Sequence, residues 1–138
     1  MSEGRILGID YGDVRVGLSL SDELGFTAQR FCTLDVQEGN VIDRIRDTIR
    51  QYDVKKIILG FPKNMNGSVG PKGEEVLKFK VELESDSEVQ VVLVDERLST
   101  QAAHRVMNEG KIKRKKKKVL IDQIAAQIIL QNYLDQAK

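Results

Sequence analysis

The order of extended and helical patterns most constrains how this chain of 138 residues can fold. Three extended segments follow one another before any helical spacing appears: Arg5–Ile9, Arg15–Leu20 and Ala28–Leu34. The short link after the first segment predicts a hairpin-like turn, and Gly25 breaks the chain before the third. These features together predict an antiparallel meander at the start of the chain.

The middle of the chain then alternates helical and extended patterns. Apolar residues recur at helical spacing from Val41 to Tyr52, after Asn40 as the expected N-cap. A buried strand is predicted at Lys56–Gly60, Pro71 is expected to open a second helix, and Val89–Val94 reads as another buried strand. Strands that alternate with helices favour parallel pairing.

The last third is predicted to be helical. Ser99 or Thr100 can cap a helix that ends near Glu109, and a final helix is expected from Lys118 to Gln136. We found no internal repeat and no linker. The prediction is therefore one α/β domain over residues 1–138, with a mixed five-stranded sheet, three strands antiparallel and then two parallel, flanked by helices in three layers.

Composition excludes several classes of protein. The single Cys32 rules out an internal disulfide, and with the single His104 it leaves no convincing Cys/His zinc site. No apolar run approaches the ~20 residues of a membrane span, and no secretory leader opens the sequence. We therefore expect a soluble cytoplasmic protein without a membrane partner.

Carboxylates occur at three places where such a fold would gather them. Asp10 follows the first strand, Asp95 and Glu96 follow the last strand, and Asp122 interrupts the apolar face of the final helix. A buried carboxylate is costly unless it is paired or binds metal, and oxygen ligands suit Mg²⁺. Strand alternation puts Asp95 and Glu96 on opposite sides, and we favour Glu96 as the ligand, with Asp95 as the alternative.

Each of these acids also has a purely structural explanation. Asp10 is a suitable residue to open a turn at Gly12. Asp95 and Glu96 fit a solvated strand end, and Asp122 fits the acidic preference near a helix start. Their joint occurrence on the expected elements favours a metal site.

The net charge of +1 hides an uneven distribution of charge. Seven of the eight residues from Lys111 to Lys118 are basic, shortly before Asp122. Such a run suits a nucleic-acid backbone, although a solvated loop without a partner is the alternative. The candidate nucleic-acid-binding residues are Lys63, Asn64, Arg97, Lys113, Arg114, Lys115, Lys116 and Lys117. Arg97 either grips a phosphate or pairs with Asp95.

With these residues in view, the sequence resembles the YqgF/RuvX family over nearly its whole length. The resemblance rests on four segments, which occur in this order: Gly8-Ile9-Asp10-Tyr11-Gly12 with Arg15-Val16-Gly17 and Ser21-Asp22; Gly60-Phe61-Pro62 with Gly67 and Gly70; Asp95-Glu96-Arg97-Leu98-Ser99-Thr100; and Asp122 with Ala125-Ala126 and Ile129-Leu130. Each segment is weak alone, and the four together are specific.

The resemblance implies an RNase H-like fold and metal-dependent hydrolysis of phosphodiester bonds. Asp10, Glu96 and Asp122 would be the catalytic and metal-binding residues, with Mg²⁺ or Mn²⁺ as cofactor. Family members are described both as pre-16S rRNA nucleases and as Holliday junction resolvases. We favour 5′ processing of precursor 16S rRNA, as part of ribosome biogenesis, over cleavage of four-way DNA in recombination. The oligomeric state, monomer or homodimer, stays open.

Two other classes were weighed. Asp10-Tyr11-Gly12 with Arg15 and Gly17 also resembles the first phosphate loop of actin-like and sugar-kinase-like ATPases, but those enzymes need a second domain and a second phosphate loop. A non-catalytic RNA-binding module would use the basic run and leave the acids structural. The absence of Trp and the few Tyr and Phe disfavour base-stacking platforms.

Overall fold

The computed structural model describes residues 4–62, 68–85, 89–95 and 114–136, and only the backbone of 114–119. Five strands and three α-helices lie in these ranges, with a short 3-10 helix at Val36–Glu38 after the third strand. The strands are β1 Arg5–Tyr11, β2 Arg15–Ser21, β3 Ala28–Asp35, β4 Val54–Phe61 and β5 Gln90–Asp95. The helices are α1 Val41–Tyr52, α2 Pro71–Glu84 and α3 Arg114–Gln136.

One mixed sheet contains all five strands in the order β3-β2-β1-β4-β5. β1 pairs antiparallel with β2, and β2 pairs antiparallel with β3. β1 pairs parallel with β4, and β4 pairs parallel with β5. The predicted meander followed by parallel strands is therefore confirmed, with β1 as the junction between the two modes of pairing.

The two faces of the sheet carry different cores. One face includes Leu7, Ile9 and Leu59 and packs against α1 and α2, where Phe79 of α2 belongs to the same core. The other face packs against α3, where Ile58 from β4 meets apolar residues of the helix. Because side chains alternate along a strand, the parallel strands β4 and β5 contribute apolar residues to both cores. The apolar residues of β2 all belong to the core that faces α1 and α2.

Small residues let α3 lie close to the sheet. A Cβ built on Gly8 would lie 2.8 Å from Leu130 Cβ and 3.0 Å from the Ala126 carbonyl oxygen. The buried Ser19 hydroxyl donates to that same carbonyl at 2.8 Å. Gly8 and Ser19 are cross-strand partners, so one pair of small residues on β1 and β2 receives one turn of the helix.

Several predicted element ends were wrong by a few residues. β1 continues through Asp10 to Tyr11, so Asp10 is a strand residue and does not open the turn. α3 begins at Arg114, four residues before the predicted Lys118, and so the second half of the basic run is helical. Lys and Arg are good helix formers, and their backbone continues the helix without interruption.

The predicted cap at Asn40 also differs in detail. Asn40 does precede α1, but its φ of 60° places it in the left-handed region, and its side chain makes no capping hydrogen bond. Its carbonyl oxygen accepts from the Arg44 amide at 2.9 Å, as the first intrahelical bond. Asn is one of the residues that tolerates this backbone region, which explains the residue type at this position. The predicted helix between Ser99 and Glu109 lies outside the described residues.

Candidate metal and nucleic-acid site

Asp10 lies near the carboxyl end of β1 on the sheet face that α3 covers. Gly8, two residues earlier, faces Ala126 and Leu130 of α3, which a Cβ at this position would meet. Side chains two residues apart share a face of a strand, so the Asp10 carboxylate is directed to the same side. Asp10 is half-buried, and its cross-strand partner on β2 is Gly17. The acid therefore stands at the margin between the sheet and α3.

Asp122 comes to this same place from the helix. A Cβ on Gly17 would lie 2.1 Å from the Asp122 carbonyl oxygen and 2.8 Å from its Cβ, so the Asp122 backbone rests directly on Gly17. Directly opposed residues of an antiparallel pair have Cα atoms about 4.5–5.5 Å apart. Asp10 and Asp122 are therefore neighbours of one glycine, which no larger residue could replace without moving the helix.

Arg15 is the cation of this cluster. Its Nε donates to Asp122 Oδ2 at 2.8 Å. The two side chains are one-third and one-fifth exposed, so the pair lies at the surface but is partly shielded from water. Arg15 begins β2 and lies two residues before Gly17, on the same side of that strand. β2 thus carries both Gly17, which allows α3 to approach closely, and Arg15, which pairs with Asp122 of that helix.

β5 ends at Asp95, one of the two candidates for a third acid. Val94 packs in the cluster on the α3 face, whereas Asp95 is paired with Phe61, whose side chain belongs to the opposite core. Asp95 is exposed and lies on the side away from Asp10. The alternative assignment of Asp95 as the ligand is thus not favoured by the strand geometry.

The predicted site residues fall into four groups. Asp10 and Asp122 are brought together at Gly17, and Asp95 lies on the other face of the sheet. Arg114 to Lys117 form the first turn of α3 in its backbone, about 7–12 Å along the helix axis from Asp122. The remaining predicted residues lie outside the described part of the chain: Glu96, Arg97, Lys63, Asn64 and Lys113.

The donors fit a hard divalent cation but do not complete a site within the described residues. Among these residues, no group of three or more His, Cys, Asp or Glu side chains is arranged to hold a metal ion. The carboxylates of Asp10 and Asp122 are the kind of oxygen donors that Mg²⁺ and Mn²⁺ accept.

Sequence reasoning missed the roles of Arg15 and Gly17, although both belong to the quoted resemblance. The signal that could have identified them is their alternation on β2, where Arg15, Gly17 and Ser19 share one face. Two small residues and one cation on a face that must accept an apolar helix are unusual. That pattern indicates close helix packing beside a charged group.

A separate cavity of about 450 Å³ lies on the opposite face of β1. Tyr11 and Phe79 stack at its floor with their ring centroids 4.4 Å apart. Burial raises the pKa of Tyr11, and the nearby carboxylates of Glu75, Asp13 and Glu82 raise it further. Because Tyr11 points away from Asp10, this cavity is not part of the acidic site.

Within the described residues, no helix is long and apolar enough to cross a membrane.

Comparisons with known proteins agree with this architecture. RuvC of T. thermophilus, solved with a Holliday junction substrate, superposes with a TM-score of 0.62 at 15% sequence identity, and the match covers 99% of this chain and 98% of that one. The fold is therefore that of an RNase H-like domain. A family model described as RuvX, Holliday junction resolvase, matches residues 4–136, and the chain belongs to this family.

Close relatives carry a different description. A protein of Bacillus cytotoxicus is 46% identical over 134 residues, covering 95% of this chain and 98% of the relative, and is named "Putative pre-16S rRNA nuclease". A Bacillus thuringiensis protein with the same name is 47% identical over the same coverage. The predicted family and fold are confirmed.

Proposed function

We propose that this protein is a metal-dependent nuclease that hydrolyses phosphodiester bonds during 5′-end processing of precursor 16S rRNA. The observation that carries the proposal is the convergence of Asp10 and Asp122 on Gly17, at the end of β1 where α3 meets the sheet. The relatives from Bacillus support the RNA substrate through their name. Precursor rRNA would be met in the cytoplasm.

We assign Glu96 as the third acid beside Asp10 and Asp122. Val94 belongs to the α3 face and Asp95 to the other face. If the alternation of β5 continued by one residue, Glu96 would fall on the face of Asp10. Strand geometry thus supports the choice that the sequence left open.

The cofactor in this proposal is Mg²⁺ or Mn²⁺, held by Asp10, Glu96 and Asp122. Such an ion, when bound, would stabilise the phosphoryl oxygens as a Lewis acid. It would also lower the pKa of a bound water, which makes that water a better nucleophile near neutral pH. The role of the protein is to fix the acids: β1 holds Asp10 opposite Gly17 of β2, and the contact of α3 with Gly17 fixes the backbone of Asp122. No side-chain nucleophile is required, which agrees with the single Cys32 and single His104.

Substrate binding is assigned to the basic residues around this site. Arg114 to Lys117 begin the helix that carries Asp122, and their charges suit a phosphate backbone leading to the acids. Arg97, Lys63, Asn64 and Lys113 are assigned the same role on the sequence pattern. These contacts are expected to position the nucleic acid and carry little sequence information.

A second candidate function is resolution of four-way DNA junctions. The description of the family model, Holliday junction resolvase, favours it. A symmetric junction has two equivalent strands to cut, so a resolvase is expected to act as a two-fold dimer. The RNA substrate is preferred because full-length relatives at 46–47% identity carry the rRNA name.

The test compares cleavage of end-labelled precursor 16S rRNA and of a four-way DNA junction, with Mg²⁺ or Mn²⁺. We expect metal-dependent cleavage of the RNA, reduced at least about 100-fold in Asp10→Asn and Asp122→Asn, because each loses one charged ligand. Asp95→Asn is the matched control and should retain activity, whereas Glu96→Gln should lose it.

Each other outcome has a defined meaning. Cleavage of the junction alone would replace the RNA assignment with the resolvase. If Asp95→Asn lost activity and Glu96→Gln retained it, Asp95 would replace Glu96 as the third ligand. Binding of RNA without cleavage under any metal, unchanged in Asp10→Asn, would make the protein a binding module and refute the nuclease.

A further inference from the structure

The ion pair between Arg15 and Asp122 suggests a property of the site beyond the ligand assignment. An acid that is to bind a divalent cation is here held by a side-chain cation of the same chain, with 2.8 Å between Arg15 Nε and Asp122 Oδ2. The sequence separation of 107 residues shows that only the tertiary fold joins them. A guanidinium at this distance competes electrostatically with any metal for the same oxygen.

We infer that Arg15 is a built-in counter-cation that occupies Asp122 in the metal-free protein and is displaced when a divalent ion binds. This inference rests on the proposed function, since it concerns the metal site of that nuclease. In the metal-free state, Arg15 neutralises one of the two acids gathered at Gly17. Its charge therefore stabilises the empty site and weakens the affinity for metal.

The geometry allows this exchange without movement of the backbone. The Asp122 main chain is fixed by its contact with Gly17, so only side chains need to move. Arg15 is one-third exposed, and its long side chain can turn outward into solvent. A guanidinium released there stays at the mouth of the site, where it suits a phosphate oxygen of the substrate.

A purely structural role for Arg15 makes the opposite prediction. If Arg15 only oriented Asp122 for the metal, its loss would let the carboxylate rotate and would weaken metal binding. If Arg15 competes with the metal, its loss should strengthen binding. The sign of the change in affinity therefore separates the two roles, and it can be read without any substrate.

The experiment is a titration of the purified full chain with Mn²⁺. Binding is monitored by calorimetry and by the loss of the electron paramagnetic resonance signal of the free ion. In Arg15→Gln we expect Mn²⁺ to bind about fivefold more tightly, the scale of a partly exposed ion pair. Arg15→Lys keeps the charge and should bind close to wild type. Arg44→Gln removes an equal charge from the ion pair that Arg44 forms with Glu38 at 3.8 Å, and it should also bind Mn²⁺ as wild type does.

A double-mutant cycle tests whether the effect passes through Asp122. In the Asp122→Asn background, Arg15→Gln should no longer tighten Mn²⁺ binding. Circular dichroism of each variant establishes that it is folded. If Arg15→Gln does not fold, Arg15→Lys provides the measurement, because a competing charge predicts that its Mn²⁺ affinity stays within about twofold of wild type.

Several results would overturn the inference. Weaker Mn²⁺ binding in Arg15→Gln would assign Arg15 a positioning role, and unchanged binding would show that the pair does not compete. Either result leaves the nuclease proposal intact if wild type binds Mn²⁺ and Asp10→Asn binds it much more weakly. Absence of Mn²⁺ binding in wild type, Arg15→Gln and Arg15→Lys alike would refute both the metal-dependent nuclease and the inference.

Discussion

Gly17 shows how one residue determines whether the two acids meet. It stands opposite Asp10 in the sheet and beneath the main chain of Asp122. Any side chain at this position would lie at 2.1 Å from a backbone oxygen, which cannot rotate out of the way. The choice of glycine here is explained by close approach of the helix and not by an unusual backbone angle.

Gly17→Ala is expected to destabilise the protein by about 3 kcal/mol, at the upper end of overpacking costs, because α3 must move away from β2. Urea unfolding followed by circular dichroism measures this free energy. Gly25→Ala is the control: no atom lies within 4 Å of its Cβ, and only its φ of +77° causes strain, of about 1–2 kcal/mol. Cleavage activity should fall in Gly17→Ala and persist in Gly25→Ala.

Asp22 acts at the residue scale through hydrogen bonds in the β2–β3 turn. Its Oδ1 accepts from the amides of Phe26 at 2.7 Å and Thr27 at 3.0 Å. Hydrogen bonding from the Thr27 backbone lowers the pKa of Asp22, and the Phe26 amide lowers it further. The ionised form is therefore the one that holds the turn.

The sign of the resulting pH dependence follows from this depressed pKa. The contribution of the Asp22 carboxylate to stability is complete above its unfolded pKa of about 3.9 and is lost as pH falls through the lower folded value. The difference in unfolding free energy between wild type and Asp22→Asn should therefore shrink below pH ~4. Glu23→Gln, which leaves these hydrogen bonds in place, is the control. A difference that stays constant to pH 2 would contradict the assignment.

At the scale of elements, α3 covers the edge strand of the sheet with a row of glutamines. Gln123, Gln127 and Gln131 follow one another at four-residue intervals, and so lie along one side of the helix. Gln127 Nε2 donates to the Ala28 carbonyl oxygen at 3.0 Å, and Gln131 Oε1 accepts from the Ala28 amide at 2.9 Å. Both backbone polar groups of Ala28, at the start of the edge strand β3, are thereby bonded to α3, which makes this end of the edge less available for pairing with another chain.

Gln131→Leu is expected to cost about 1–3 kcal/mol, because the Ala28 amide loses its side-chain partner in a partly buried position. Hydrogen exchange at Ala28 should accelerate, and urea unfolding should report the loss of stability. Asn132→Ala, at the exposed neighbouring position of α3, is the matched control and should change neither quantity. Unchanged exchange at Ala28 in Gln131→Leu would show that this hydrogen bond does not persist in solution.

At the scale of the whole molecule, charge is local and not global. A net charge of +1 offers little general attraction to a polyanion, so in the proposed function the attraction is assigned to the basic residues from Lys111 to Lys118. The backbone of α3 carries five of them, Arg114 to Lys118, on the helix that bears Asp122. In the proposed function, these residues lead the nucleic acid toward Asp122.

A triple substitution of Lys115, Lys116 and Lys117 by Ala should weaken RNA binding and lower the dependence of log K on log salt by up to about 2. The estimate follows from about 0.7 per lost phosphate contact on a single strand. The control removes the same charge from Lys55, Lys72 and Lys78 on β4 and α2. Equal salt slopes for both variants, measured by fluorescence anisotropy, would contradict this approach.

Sequence patterns predicted most of the elements because hydrophobic periodicity is a local property. The strand–strand–strand–helix order and the alternation on β1 follow from which residues must avoid water, and they were confirmed. The start of α3 was placed too late because a run of lysines was interpreted as a solvated loop, whereas its helix propensity carried the backbone on.

The sequence by itself determined the fold class and the identity of Asp10 and Asp122 as candidate acids, since both interrupt apolar patterns where a carboxylate is costly. It did not reveal that Arg15 pairs with Asp122, that Gly17 seats the helix, or that Asp95 lies on the face away from Asp10. Those facts depend on contacts between residues about 100 positions apart and on strand register. Only the tertiary structure decides them, because the distance between two side chains depends on packing and not on their separation in sequence.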